Sequence, residues 1–362
     1  MTDSNLNNHK LYKQLLTAPK DALDYLNLIY VTDAHLDIKR IKKDNGFNYK
    51  KRNNKPLTNG EIKRINKLVL PPAWESVKIT SLKNGHLQAV GRDKRLRKQY
   101  RYHDKWSKIR NQTKFYKMYA FGKALPKIRE RVEADLQQKR FTKTKVLALV
   151  IKLLEETHIR IGNSQYAKRN KTYGLSTLRS KHVDIFKNKA KFEFTGKRGK
   201  KHSITIRNKR LIKLVNQCEE IPGWKLFKYY DSVGDKHNVD SSMVNAYLQN
   251  ISSEYFTAKD FRTWSASLIF FETLQDFETT SDDKQIQKNI LKAFDAASKA
   301  LGNTRNVVRK YYVHPILPSF YQNGSIKKYF DISKSAKSKS MHQLSSSEYA
   351  MLSLVKNFKF DV

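Results

Sequence analysis

Apolar positions along the chain recur with two different periods, and these periods predict most of its elements. Ile286, Ile290, Phe294, Ala297 and Leu301 repeat every three or four residues, the spacing that lines one face of a helix. Gly302 follows where a helix end favours glycine. Asn303 or Thr304, both good N-cap types, can then open a short helix that must stop before Pro315. Val146 to Leu154 is almost unbroken apolar sequence and reads as a buried central helix that delivers His158 to Asn163 at its end. A third helix is expected over 107–138, with Phe115, Met118, Tyr119, Phe121, Ala124, Leu125 and Ile128 as its apolar set. A fourth opens at Ala258 and runs through Leu268, Phe270, Phe271 and Leu274, carrying Arg262 beside Trp264, a residue expected to be buried.

Elsewhere the period is two. Residues 191–206 alternate cleanly, Phe192 and Phe194 on one arm and Ile204 and Ile206 on the other, so they predict a β-hairpin. Its tip carries Lys197, Arg198, Lys200 and Lys201. Near the N-terminus, residues 27–36 are β-rich and predict the start of a sheet. Val77 to Ile79 and Leu87 to Val90 flank an Asn84-Gly85 turn and predict a hairpin with a loop wider than two residues. From Arg40 to Lys67 the chain is basic with few apolar positions, and Pro71-Pro72 breaks any helix there. The pattern therefore predicts an α+β protein. An N-terminal arm (1–26), with Leu11, Leu15 and Leu16 as a possible short helix, precedes a β-sheet domain (27–106). A mainly helical domain containing the hairpin (107–330) follows, and then a Ser/Lys-rich linker and short C-terminal helix (331–362), opened by a capping box at Ser345 and Glu348.

Charge narrows the class of partner. Lys plus Arg number 72 against 33 acidic residues, a formal net charge of +39 in 362 residues. A chain this basic seeks a polyanion, most simply nucleic acid. No apolar run approaches the ~18 to 20 residues a membrane span requires, and no signal-peptide core is visible, so the expected location is cytoplasmic and nucleoid-associated. Cys218 is the only cysteine, which excludes an internal disulfide and a cysteine-based zinc site.

Several residues carry candidate chemistry. Residues 91–102 interleave basic and aromatic side chains most densely; arginines and lysines there can hold phosphates, and Gln99, Tyr100 and Tyr102 can reach base edges or sugars. Arg160 is either a cation at a helix end or a phosphate clamp. Lys197 is either a solvated hairpin lysine or a general acid. Tyr311 and Tyr312 lie in a strongly basic setting, where a phenol is a candidate nucleophile toward phosphate. A free phenol titrates near ~10, so it needs neighbouring positive charge to attack at neutral pH. On that stretch alone, two packing residues on a surface helix are the favoured reading.

The order of these features resembles the signature series of type IB DNA topoisomerases, in particular their small, poxvirus-like bacterial branch. Arg160 in Arg-Ile-Gly-Asn, Lys197 in Gly-Lys-Arg-Gly-Lys, Arg262 in Lys-Asp-Phe-Arg-Thr-Trp, Asn303 in Leu-Gly-Asn-Thr and Tyr312 before Val-His-Pro carry the likeness. It extends to Pro71-Pro72-Ala73-Trp74, to Gly91-Arg92-Asp93 through Tyr100-Arg101-Tyr102, and to Tyr173 through Arg179, about residues 27–325 in all. The resemblance implies a sheet-based N-terminal domain and a helical catalytic domain forming a C-shaped clamp on double-stranded DNA, acting as a monomer. It further implies that Tyr312 attacks a backbone phosphorus to leave a 3′-phosphotyrosyl bond. Arg160 and Arg262 would hold the non-bridging oxygens, with Asn303 donating a neutral hydrogen bond where poxvirus-type members have histidine. Lys197 would protonate the departing 5′-oxygen, and strand rotation and resealing would follow. Tyr312 is preferred to Tyr311 because the family's nucleophile directly precedes the aliphatic-His-Pro tripeptide. Arg92, Lys98, Gln99, Tyr100, Tyr102 and Tyr166 are the implied DNA contacts.

Such chemistry keeps the phosphodiester energy in the phosphotyrosine, so neither ATP nor another cofactor is expected, and no phosphate-loop motif is present. No carboxylate cluster suggests a magnesium site; adjacent Asp282 and Asp283 read as a polar helix start. The nearest rival is a tyrosine recombinase, but Lys259 stands where recombinases usually carry the histidine of His-x-x-Arg. A non-catalytic architectural DNA-binding protein would need only the charge, and a metal-dependent nuclease would need the missing carboxylates.

Overall fold

The computed structural model describes residues 14–15, 20–277, 280–335 and 342–358. Most of the expected N-terminal arm, Leu11 and Leu16 included, and residues 336–341 of the Ser/Lys-rich stretch lie outside the described residues. The chain divides into two compact units, one running through Lys114 and the other covering Phe115–Phe358. The fold is α+β: the first unit is built on a sheet, and the larger second unit is mainly helical.

The first unit holds strands β1 (Ile38–Lys43), β2 (Gly46–Lys51), β3 (Glu75–Ile79), β4 (Leu87–Arg92) and β5 (Lys98–Tyr102), in the antiparallel order β2-β1-β3-β4-β5. Residues 27–36 do not start this sheet. Asp33–His35 is a short 3-10 turn, closed by Thr32 N–H donating to His35 Nδ1 at 3.0 Å, and Ile29 makes only an isolated bridge to Gly85. The first hairpin instead falls in the basic stretch that showed no apolar rhythm. The reason is that β1 and β2 need one deep anchor, Ile38, which pairs with Ile79, while most of their lysines and arginines face water. Helix α1 (Asn59–Lys67) is capped by Thr58 and Glu61 and lays Ile65 against Ile38, Val77, Ile79 and Ala89.

Helix α2 (Asp104–Leu136) begins in the first unit and continues into the second. Then come α3 (Lys143–Thr157), α4 (Ser164–Asn170), the three-stranded sheet of β6 (Val183–Phe186), β7 (Lys189–Thr195) and β8 (Lys201–Ile206), and α5 (Lys209–Glu220). A two-stranded ribbon, β9 (Lys228–Tyr230) and β10 (Lys236–Asn238), precedes α6 (Ser241–Ser252), α7 (Ala258–Gln275), α8 (Asp283–Leu301), α9 (Arg305–Tyr311), α10 (Ile316–Gln322), α11 (Lys327–Ser335) and α12 (Ser346–Val355).

The core of the second unit gathers around α3, whose apolar run is buried almost throughout. Phe121 meets Phe256, Phe261 and Trp264 edge-on. The C-terminal helix is part of this body: Glu348 on α12 is buried, and its carboxylate accepts from Arg129 at 2.7 Å and from Trp264 Nε1 at 3.0 Å. Residues 331–335, expected in a linker, are helical because Tyr329, Phe330 and Ser333 give α11 a buried face. Among the described residues no helix is long and apolar enough to cross a membrane.

Candidate functional site

Four separate segments of the second unit converge, each brought there by the local structure that ends or opens a helix. Helix α3 stops at Thr157, and His158 takes the left-handed conformation at its C-cap (φ 53°). The chain then runs extended through Arg160, where it is zipped to the segment after Tyr173: Leu175 N donates to Arg160 O at 2.9 Å and Ser176 N to Ile161 O at 2.8 Å. Gly174 must be glycine for this, because a Cβ there would lie 2.3 Å from Arg160 O. The same segment ties to the hairpin through Tyr173 N donating to Thr195 O at 2.8 Å.

Arg262 enters from α7 and is only 3% exposed. Its guanidinium donates to the carbonyl of His158 and, at 2.9 Å, to that of Leu301, so one side chain holds the ends of α3 and α8 together. It also lies over the Tyr312 ring, 5.4 Å from guanidinium carbon to centroid. Helix α8 ends at Leu301 with Gly302 in the left-handed region (φ 61°), as its glycine predicted. Asn303 follows, its Oδ1 accepting from Arg160.

Tyr312 caps the short helix α9, N–H to Val308 O at 2.9 Å. Its own carbonyl accepts from Ser267 Oγ at 3.3 Å, and that oxygen accepts from His314 N at 3.0 Å. Ser267 stands on the same helix as Arg262, so α7 grips both the ring and the backbone of this tyrosine. His314 is fully buried between Phe115 and Phe358, and burial pushes its pKa down to about 3, so it packs as a neutral ring. Neither Ser267 nor His314 was singled out in the sequence; the His-Pro pair after Tyr312 was the available signal. Tyr311, next in the chain, is 46% exposed.

The electrostatics follow from this crowding. Burial alone would raise the Tyr312 phenol, but the charges of Arg262, Arg160 and Lys197 outweigh it and set the pKa below the ordinary phenolic value. Burial, with Arg160 beside it, lowers Arg262 to about 10, which leaves it charged at neutral pH. Lys197, exposed at the hairpin tip, is lowered by desolvation and by Arg160, with Tyr312 acting in the opposite direction. Two buried donors of the group, Asn303 Nδ2 and Arg262 Nε, have no hydrogen-bond partner among the described residues. Unpartnered buried donors are costly; here one sits on the arginine over the Tyr312 ring and the other on the amide that accepts from Arg160. The cavity lined by Arg160, Arg262, Gly196, His202, Tyr173 and Leu301 is small, about 10 Å³. Among the described residues no group of three or more His, Cys, Asp or Glu could hold a metal ion.

Six further residues were expected to touch DNA. In the first unit, Arg92 pairs with Lys98 across β4 and β5, and Lys98, Tyr100 and Tyr102 alternate on one exposed face of β5. The two tyrosine rings stack at 5.8 Å and 11°, with Lys98 Nζ 5.5 Å from the Tyr100 centroid. Gln99 points to the opposite face and donates to Asp93 Oδ2 at 2.9 Å. Tyr166 belongs to the second unit, on α4, and is 53% exposed.

Comparison with known proteins gives the family. The family model described as eukaryotic DNA topoisomerase I, catalytic core, matches residues 103–338. That of the bacterial DNA topoisomerase IB N-terminal domain matches residues 46–93. A DNA topoisomerase 1B of Acanthamoeba polyphaga mimivirus is 35% identical over 278 residues, covering 75% of this chain and 83% of that protein. DNA topoisomerase 1 of Rabbit fibroma virus (strain Kasza) is 24% identical over 232 residues, covering 62% and 68% respectively.

Proposed function

This chain belongs to the type IB family and is a DNA topoisomerase, and from that premise we propose that it relaxes duplex DNA through a covalent bond between Tyr312 and a 3′-phosphate. The Tyr312 oxygen attacks phosphorus, its proton passing to water, and the bond from phosphorus to the 5′-oxygen breaks. Lys197 gives that oxygen the proton it needs to leave as a hydroxyl rather than an alkoxide. Rotation about the uncut strand changes the linking, and the hydroxyl then attacks the phosphotyrosine and restores both bonds. No ATP enters, because one phosphodiester is exchanged for another of similar energy.

The observation that carries this reading is the convergence of Arg262, Arg160 and Lys197 on one half-buried tyrosine whose phenol their charges acidify, with Asn303 bonded to Arg160. Arg262 is held by two carbonyls, so its charge is aimed before a phosphate arrives; the unpartnered Asn303 Nδ2 and Arg262 Nε are suited to non-bridging oxygens. We assign DNA binding by the first unit to the exposed face of Arg92, Lys98, Tyr100 and Tyr102, with Gln99 acting through Asp93, and take exposed Tyr166 on α4 as a DNA contact of the second unit. One protomer supplies every group the reaction uses, so the active form is taken as a monomer.

The test is relaxation of positively and negatively supercoiled plasmid in EDTA without ATP. Wild type and Tyr311→Phe relax both signs, and Tyr312→Phe relaxes neither while still binding DNA. A wild-type protein that binds DNA but relaxes neither sign under these conditions would refute the reading.

A further inference from the structure

The hairpin that presents Lys197 and the turn that presents Asn303 share one side chain. His202 stands on β8 opposite Phe194, its ring stacked on the phenyl at 5.0 Å and 13°. Backbone closes on two sides of that ring. A Cβ on Gly196 would lie 2.6 Å from His202 Cδ2 and Nε2, and a Cβ on Gly302 would lie 2.6 Å from its Cε1. Side-chain carbons do not approach this closely, so only glycine leaves room for the imidazole at both places. Each glycine directly precedes a residue of the reaction, Lys197 in one case and Asn303 in the other.

We propose that His202 is a positioning residue, a flat plate between Gly196 and Gly302 that fixes the hairpin lysine relative to the phosphate-binding turn. The proposal rests on Lys197 being the general acid. The tip is closed on itself by Gly196 N–H donating to Lys200 O at 2.7 Å and Gly199 N–H to Gly196 O at 3.1 Å, but these bonds lie within the hairpin and do not fix it against the turn at Gly302, and Lys197, Arg198, Gly199 and Lys200 are all exposed. A general acid must come within about 2.6 to 3.2 Å of the leaving oxygen, a tolerance that a loose hairpin tip does not meet. Burial, with Arg160, Lys200 and Arg262 nearby, lowers the imidazole to about 4, so the ring is neutral at physiological pH and brings shape rather than charge.

The experiment measures single-turnover cleavage by the full chain on a duplex whose 5′-bridging oxygen, at the position cut by wild type, is replaced by sulfur. A thiolate leaves without a proton, so this substrate bypasses the general acid. On the all-oxygen duplex, His202→Ala should slow cleavage roughly 100-fold, the low end of what general acid catalysis contributes. On the sulfur duplex it should recover most of that loss, as should Lys197→Ala, whereas Arg262→Ala should stay slow on both. His202→Phe, which keeps a flat ring without nitrogens, should lose much less than His202→Ala. Gly196→Ala should reproduce the defect and lose less in the His202→Ala background, where the methyl has space. If His202→Ala is as slow on sulfur as on oxygen while Lys197→Ala recovers, the positioning role is wrong. If His202→Phe is as slow as His202→Ala, nitrogen chemistry replaces shape and the proposal falls. If Lys197→Ala itself fails to recover, the error lies in the general-acid reading beneath it.

Discussion

The two basic regions of this protein place their positive charge in opposite ways. Around Tyr312 the charge is buried and pinned: Arg262 is held by the carbonyls of His158 and Leu301, and Arg160 by Asn303. On β5 it is exposed: Lys98, Tyr100 and Tyr102 face solvent and touch mainly each other. Buried, preorganised charge acts on a developing transition state with little screening, whereas exposed charge is screened by salt and contributes in small, separable amounts. On the proposed mechanism, the same residue types thus serve rate in one region and affinity in the other.

The largest expected break in that contrast is Arg262→Ala. It should lower the rate of cleavage about 10²- to 10³-fold, the cost of removing one preorganised donor, with DNA affinity and its salt dependence little changed. Quench-flow cleavage and a salt titration of binding read both. Next comes Lys197→Ala and its pH profile. In the proposed mechanism cleavage needs a deprotonated Tyr312, whose pKa lies below the usual phenol, and a protonated Lys197, whose pKa lies below the usual ammonium. The rate should therefore rise with pH through the first ionisation and fall through the second. Lys197→Ala should slow cleavage about 10²-fold or more and abolish the alkaline fall.

Smaller effects belong to the exposed face. Tyr100→Ala should weaken DNA binding by about 1 to 3 kcal/mol, the usual cost of losing a stacking ring. Lys98→Ala should flatten the slope of log K against log salt by about 1 while leaving the cleavage rate of bound DNA intact. The smallest contrast lies in acid stability. His314 is neutral when folded, with its pKa lowered to about 3, so between there and the ordinary value near ~6.5 the unfolded chain binds the extra proton. Stability contributed by the neutral ring is present above ~6.5 and falls by up to about 1.4 kcal/mol per unit as the pH drops through that window. His314→Gln should flatten the acid limb of a denaturation series.

How much of this could be read in advance depended on whether a residue's partners leave a mark in the sequence. The α8 face, the glycine that ends it and the alternating hairpin were legible because period and glycine reflect local backbone geometry. Arg262 beside Trp264 was legible as a rigid arginine. What fixes it was not, because the carbonyls of His158 and Leu301 carry no residue identity. Ser267 was hidden for the same reason, its partners being the backbone on either side of Val313. The β1 and β2 hairpin was missed because only Ile38 is deeply buried there, so no apolar rhythm marked it. His202 was not singled out in the sequence. Its role depends on two glycines that the chain separates widely and the fold brings to one ring.

The most direct measurement is to trap the covalent complex with denaturant during relaxation, digest it, and identify the nucleotide-bearing peptide and the DNA end it holds. The account predicts a single adduct on Tyr312, joined to a 3′-phosphate with a free 5′-hydroxyl on the other strand end. An adduct on Tyr311, a link to a 5′-phosphate, or relaxation without any protein-linked DNA would contradict it.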